Sequence, residues 1–167
     1  MVIAQHMPPM FTTHLARDLS TAGKIRVIEA EDNMRLEPGL AAMAPGGKNL
    51  ELKIRGPDYK CQLMPASNNP AVPSPSVNAL FSSLEKAGSR VLAILLTGLG
   101  SDGADGMLRL RQAGAVTLAQ DESTSLIYGM PRAAIERGGV DEVVGLPGIA
   151  GKIVDYVQGS REKIKCS

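Results

Sequence analysis

Two stretches of this sequence put chemistry-bearing residues directly after apolar runs. The opening Met1-Val-Ile-Ala-Gln5 is followed by His6 and then by Pro8 and Pro9. Consecutive prolines stop a sheet ladder and block an immediate helix start, so the histidine stands where a strand gives way to a loop. Further along, Arg90-Val-Leu-Ala-Ile-Leu-Leu-Thr97 runs into Gly98-Leu-Gly-Ser-Asp-Gly103, with Asp102 and Asp105 flanking Gly103. The glycine spacing is G-x-G-x-x-G and Asp121 closes the next apolar run, which is the context of a dinucleotide fingerprint. Carboxylates at the start of the following helix would repel a pyrophosphate, and this weighs against that reading. The same carboxylates suit another chemistry: an aspartate accepting from an imidazole N–H fixes the ring's tautomer and stabilises the imidazolium formed during proton transfer. Open parallel sheets gather ligand-binding groups at the carboxyl ends of their strands, so His6 and Asp102 are expected to share such an edge.

The elements that must position these residues follow from periodicity. Met1 to Gln5 reads as a short buried strand. Phe11 to Ala22 has helical spacing at Phe11, Leu15 and Leu19, with Thr12 or Thr13 as N-cap and Gly23 as the stop. Ile25 to Ala30 is a strand. From Asn33 to Pro75 the chain is broken by Pro-Gly and Gly-Pro pairs, and Leu40 to Met43, Leu50 to Ile54 and Lys60 to Leu63 are expected to form a small antiparallel excursion. Ser76 to Gly88 returns to helical spacing, with Ser74-Pro75-Ser76 supplying a cap. Arg90 to Thr97 is continuously apolar, as strands covered on both faces are, and is expected to be central. The glycine turn, a helix over Met107 to Gln112, a stop at Gly114 and a strand over Ala115 to Gln120 complete a βαβ unit. A loop (Asp121 to Gly129), a helix from Met130 to Arg137, a strand (Val140 to Val144) and a helix (Ile149 to Val157) finish the domain. The fold class is therefore α/β: a doubly wound, mainly parallel sheet with helices on both faces, spanning 1–158 as one domain, with a polar tail over 159–167.

Composition narrows the partners. Eighteen Lys plus Arg against seventeen Asp plus Glu leave a formal charge of +1, too small a field to recruit nucleic acid or an anionic membrane. No apolar run approaches the roughly 20 residues needed to span a bilayer, so no membrane insertion is expected. Cys61 and Cys166 are far apart and have the look of reduced cytosolic thiols, which points to a cytoplasmic protein. Two histidines and two scattered cysteines offer no metal-ligand spacing, and no cofactor or metal is expected. His14 reads as a solvated residue on a surface helix. Met7, Met10, Met107 and Met130 read as flexible packing around the cleft, and Arg132 as an exposed cation able to meet an acidic helix.

The order of several blocks carries a resemblance. Gln5-His-Met-Pro8 with Phe11-Thr12, Ala44-Pro-Gly-Gly47, Pro75-Ser-Val77, Leu96-Thr-Gly-Leu-Gly-Ser-Asp-Gly-Ala-Asp-Gly-Met107, Ala119-Gln120 and Tyr128-Gly-Met-Pro-Arg-Ala-Ala134 succeed one another as in the catalytic domain of CheB-type chemotaxis methylesterases. The resemblance implies a carboxylic-ester hydrolase that removes methyl groups from glutamates of methyl-accepting chemotaxis receptors and deamidates some of their glutamines. It implies a Ser-His-Asp triad in which His6 is the histidine and Asp102 the aspartate, with the backbone N–H of Leu99 contributing to the oxyanion hole. It also implies a phosphorylatable receiver domain as a regulatory partner. The family's nucleophile stands in a Gly-x-Ser-x-Gly-Gly turn ahead of the Gln-His-Met-Pro strand, and no such turn occurs in these 167 residues. Ser101 and Ser76 are the nearest substitutes by motif, and neither is expected to replace it. The expectation is a domain lacking its N-terminal strand and its serine, which would leave ladder groups exposed and favour association. Two further readings stay open: a catalytically inactive receptor-binding remnant, and a dinucleotide-binding domain at Gly98 to Gly103.

Overall fold

Short apolar segments separated by glycine and proline build parallel ladders here, each flanked by helices whose apolar stripe covers it. The computed structural model describes residues 1–165, and side chains through Gly159. The chain falls into two compact units, Met1–Ala87 and the residues from Gly88 onward.

In the first unit, β1 (Val2–Ile3), β2 (Arg26–Glu29) and β3 (Leu40–Met43) form a parallel sheet in the order β1-β3-β2. Leu40–Met43 therefore does not belong to an antiparallel excursion: it is the middle strand, and Ala41, Ala42 and Met43 are all buried. Three residues in a row that are buried on both faces leave no alternation from which pairing direction can be inferred. Helix α1 (Phe11–Ala22) lays Ala16 and Leu15 on Val27, Ala41, Met43 and Ile3. The antiparallel part is confined to a hairpin of β4 (Lys48–Arg55) and β5 (Asp58–Pro65), closed at Gly56 and packed against α2 (Val77–Ser83). Ser76 caps α2 as expected, its hydroxyl accepting from the Ala79 N–H at 3.3 Å. Cys61 is fully buried in β5, and that burial pushes its thiol up to about 11. At neutral pH it is a small hydrophobe rather than a nucleophile.

In the second unit, β6 (Leu92–Leu95), β7 (Val116–Gln120) and β8 (Glu142–Val144) form a parallel sheet in that order. The strand expected to be central, β6, pairs only with β7 among the described residues, and β7 holds the middle. Leu118 packs with Val144 and Ile149, while its neighbours Thr117 and Ala119, which point the other way, are also fully buried. The helices that cover this strand are α3 (Ala104–Gln112), α4 (Met130–Glu136) and α5 (Leu146–Lys165). Helix α5 begins before and ends after the expected Ile149 to Val157. Cys166 and Ser167 lie outside the described residues. Core burial dominates the energetics: each fully buried Leu110- or Met107-sized side chain contributes about 1.5–3 kcal/mol, against about 0–1 kcal/mol for exposed ion pairs such as Arg35–Asp58 and Lys152–Glu142.

One polar fastener stands apart from those pairs. Asp141, just ahead of β8, accepts from the Thr117 N–H (3.0 Å), the Thr117 hydroxyl (2.9 Å) and the Arg111 guanidinium (2.6 Å). Burial pushes its carboxyl upward, but these donors outweigh burial and hold it below the ordinary carboxylate range. A carboxylate depressed in the folded state adds stability above its unfolded pKa of roughly 3.9 and loses it as pH falls through the lower folded value. Asp141→Asn is expected to lower the melting temperature by several degrees at pH 7 and by much less at the acid end of the titration. Scanning calorimetry at a series of pH values checks this, and a constant difference at every pH would overturn it.

Candidate active site

His6 lies in the loop that joins β1 to α1, at the carboxyl end of a parallel strand, and is exposed. Its loop is seated against the turn after β3 by close backbone contact. A Cβ on Gly46 would lie 2.4 Å from the Pro8 carbonyl carbon and 2.5 Å from both the Pro8 oxygen and the Pro9 nitrogen. Nothing larger than glycine fits between the two loops. The Gly46 N–H then donates to the Thr12 hydroxyl at 3.0 Å, and that hydroxyl donates to Glu29 Oε1 at 2.5 Å. Thr12 is completely buried.

This corrects the expected helix cap. Neither Thr12 nor Thr13 caps α1: the N-cap is Met10, without a side-chain hydrogen bond, and both threonine hydroxyls donate to Glu29 instead. Met10 holds φ 71° and is 73% exposed, so it does not fill packing as Met107 and Met130, which are buried, do. Gly23 does end the helix, its N–H donating to the Leu19 carbonyl. His14 is exposed on α1.

The second group of candidates stands between β6 and α3. Gly98 leaves the strand, Leu99 projects outward at 79% exposure, Gly100 has φ 88°, and Gly103 caps α3 with φ 92°. Asp102 is half-buried in this turn, and Ser101 offers its backbone carbonyl to the Ala104 N–H at 3.1 Å. Asp105 is paired with Arg137 at 2.9 Å. A second loop pins the turn: the Gly98 N–H donates to the Ile127 carbonyl (3.0 Å), and the Gly98 carbonyl accepts from Gly129 (3.1 Å) and Met130 (2.9 Å). The Thr97 hydroxyl exchanges hydrogen bonds with the backbone of Ile127. A Cβ on Gly98 would sit 2.3 Å from the Met130 sulfur, and one on Gly129 would sit 2.7 Å from the Gly98 oxygen. Gly129 thus answers backbone crowding, and Gly98 the close approach of the Met130 side chain.

Asp121 has a local task. It accepts from the Ser123 hydroxyl at 2.8 Å, from the Thr124 N–H at 3.1 Å and from the Thr124 hydroxyl, and these bonds lower its pKa, the Thr124 and Ser123 hydroxyls foremost. The acid that a dinucleotide site would turn toward a ribose is thus engaged in closing its own loop. Arg132 pairs with Glu136 one helical turn away at 2.7 Å, which partly neutralises the cation expected to meet an acidic helix. The candidates stay in separate loops: His6 belongs to the first unit, Leu99 and Asp102 to the second. Sequence reasoning passed over Thr12, Glu29 and the Thr97–Gln120 pair as positioning groups. The available signal was the place of Thr12 and Gln120 in the matched blocks Phe11-Thr12 and Ala119-Gln120.

Parallel ladders flanked by helices in each unit, with an exposed imidazole after one strand and a glycine-rich, carboxylate-bearing turn after another, define an α/β domain. Comparison with known proteins gives the family: the CheB methylesterase family model matches residues 1–153, and the chain belongs to that family. It is 49% identical over 149 residues to a protein-glutamate methylesterase/protein-glutamine glutaminase of Photorhabdus laumondii, which covers 87% of this chain and 42% of that protein. A counterpart in Xanthomonas oryzae is 47% identical over 160 residues, 94% of this chain and 45% of that protein. The chain thus spans less than half the length of these curated relatives. The crystal structure of the Thermotoga maritima CheB methylesterase catalytic domain superposes with a TM-score of 0.87 at 33% identity, over 92% of this chain and 82% of that one.

Proposed function

We propose that the protein carrying this chain hydrolyses glutamate γ-methyl esters on chemotaxis receptors, and deamidates particular receptor glutamines, by acyl transfer through a serine. The family match over residues 1–153 carries this reading. Within it His6 is the general base, Asp102 holds the imidazole, and the Leu99 N–H stabilises the oxyanion. The serine Oγ attacks the γ-carbonyl carbon and passes its proton to His6. The tetrahedral oxyanion is held by backbone N–H groups, and its collapse expels methanol, which takes the proton from His6. Water then attacks the acyl-enzyme with His6 again as base, releasing the glutamate carboxylate and restoring the serine. A side-chain change at Leu99 leaves the backbone donor in place, and the 79% exposure of that residue keeps the turn open to a protein substrate.

No Gly-x-Ser-x-Gly-Gly turn occurs in the 167 residues, so in this reading the serine is contributed by sequence outside them. The same reading puts the protein in the cytoplasm, beside the receptors' cytoplasmic glutamates, with a receiver domain as its regulatory partner. Among the described residues no helix is long and apolar enough to cross a membrane. A second reading, a receptor-binding remnant without esterase activity, predicts binding without turnover. Methanol release from methylated receptor separates the two, measured for this chain and for a form extended by the residues encoded upstream. Release by the extended form alone supports the esterase with an external serine. Receptor binding without release from either form supports the remnant.

A further inference from the structure

The turn that carries Leu99 and Asp102 is anchored by a side chain that the triad chemistry leaves without a role. Gln120 ends β7 and is 1% exposed. Its Oε1 accepts from the Thr97 N–H at 2.8 Å, and its Nε2 donates to the Thr124 carbonyl at 2.7 Å and lies 3.3 Å from the Thr124 hydroxyl. That hydroxyl also accepts from the Leu146 N–H at 2.9 Å. A buried carboxamide has one acceptor and two donors to satisfy, and here they tie together the end of β6 and the loop after β7. Beyond Thr97 the chain enters Gly98, whose N–H and carbonyl are taken up by Ile127, Gly129 and Met130 of that same loop. The amide thus stands at the root of a two-loop lattice whose outer end is the Leu99–Asp102 turn.

We propose that Gln120 is a positioning residue for the reaction: by clamping Thr97 to the Thr124 loop it sets where the Leu99 N–H and the Asp102 carboxylate stand. The proposal rests on the esterase reading of the turn. Donors aimed at a developing oxyanion act in the transition state, so displacing them lowers kcat and leaves KM unchanged.

The test is Gln120→Leu, which keeps bulk and removes the side chain's hydrogen bonds, in the protein that carries this chain. Amide hydrogen exchange and hydrolysis of methylated receptor are both measured. Exchange at Thr97, Gly98, Gly129 and Met130 is expected to quicken about tenfold, the effect of losing one or two hydrogen bonds, with Leu118 and Ala119 in β7 unchanged. Turnover is expected to fall about tenfold to a hundredfold at constant KM. Quickening limited to Thr97, an unchanged kcat, or an equal loss of protection at Leu118 and Ala119 overturns the proposal. Should this variant fail to fold, Gln120→Glu keeps the acceptor for Thr97 and removes the donor to Thr124. There Gly129 and Met130 are expected to quicken while Thr97 stays protected, and wild-type exchange throughout overturns the proposal. A wild-type protein that releases no methanol sinks the esterase reading alone, because the exchange pattern still decides whether Gln120 governs the turn.

Discussion

Replacing His6 by alanine is expected to reduce methanol release from methylated receptor at least a thousandfold in a form that contains the nucleophilic serine, with receptor affinity retained. The magnitude follows from the proposed role of general base. A serine hydroxyl at neutral pH is a weak nucleophile, and removing its base returns the reaction to what binding and the oxyanion donors alone supply. Asp102→Asn is expected to lower kcat by several powers of ten as well, because the asparagine amide offers the ring a donor where an acceptor is needed and favours the wrong tautomer. The double variant is expected to lose little more than the worse single one, since residues acting as one unit are far from additive. His6 is exposed, so its removal is expected to change the unfolding free energy by only about 0.5 kcal/mol or less. Measured kcat, KM and melting temperature together check this. Additive losses would show that the two residues do not act as one unit, and a large fall in stability would show that they serve folding instead.

The second large effect is expected at Gly46, which does no chemistry. Gly46→Ala puts a methyl group 2.4 to 2.5 Å from three backbone atoms of Pro8 and Pro9, well inside van der Waals contact. A flexible side chain could swing away. Two successive prolines with fixed φ cannot, so the His6 loop must lift as a body or the turn after β3 must move. Overpacking of this kind costs about 1–3 kcal/mol, which for a chain of this length lowers the melting temperature by roughly 2–12 °C. The loss of activity is expected to exceed what stability alone accounts for. A displacement of about 1 Å at a proton-transfer group costs on the order of a hundredfold in rate. Assay well below the melting temperature separates the two contributions, and a folded Gly46→Ala protein with full turnover would overturn the seating argument. Thr12→Val, which removes the hydroxyl that accepts from Gly46, serves as a milder companion in the same assay.

Both predictions concern places where the linear sequence and the folded protein divide the explanation between them. The periodicities of Phe11–Ala22, Val116–Gln120 and Met130–Glu136 were readable because each helix or strand buries a pattern that repeats within a few residues. The serine at 76 announced its own cap by lying between a proline and an apolar helix. His6 and Asp102 stood out for one local reason, that an imidazole or a carboxylate directly after an apolar strand is already at a sheet edge, whereas Leu99 came only from the family resemblance. The amino-acid sequence by itself therefore determined the α/β class, most elements and the loops that hold the candidate residues.

What depends on residues distant in the chain needed the tertiary structure. The direction and rank of a strand are set by its partners, so Leu40–Met43 is a parallel middle strand and Leu92–Leu95 pairs only with β7 among the described residues, against the pattern-based expectation. Thr12 had every mark of a cap, yet its hydroxyl is committed to Glu29 and Gly46, 17 and 34 residues away. Gln120 read as the polar end of a strand, and only the approach of Thr97 and Thr124 makes it a clamp. Local propensity is a property of neighbours in sequence, whereas hydrogen-bond satisfaction of a buried polar group is a property of neighbours in space. That difference is why the loops that hold the candidate residues could be read from the chain and the buried hydrogen bonds that brace them could not.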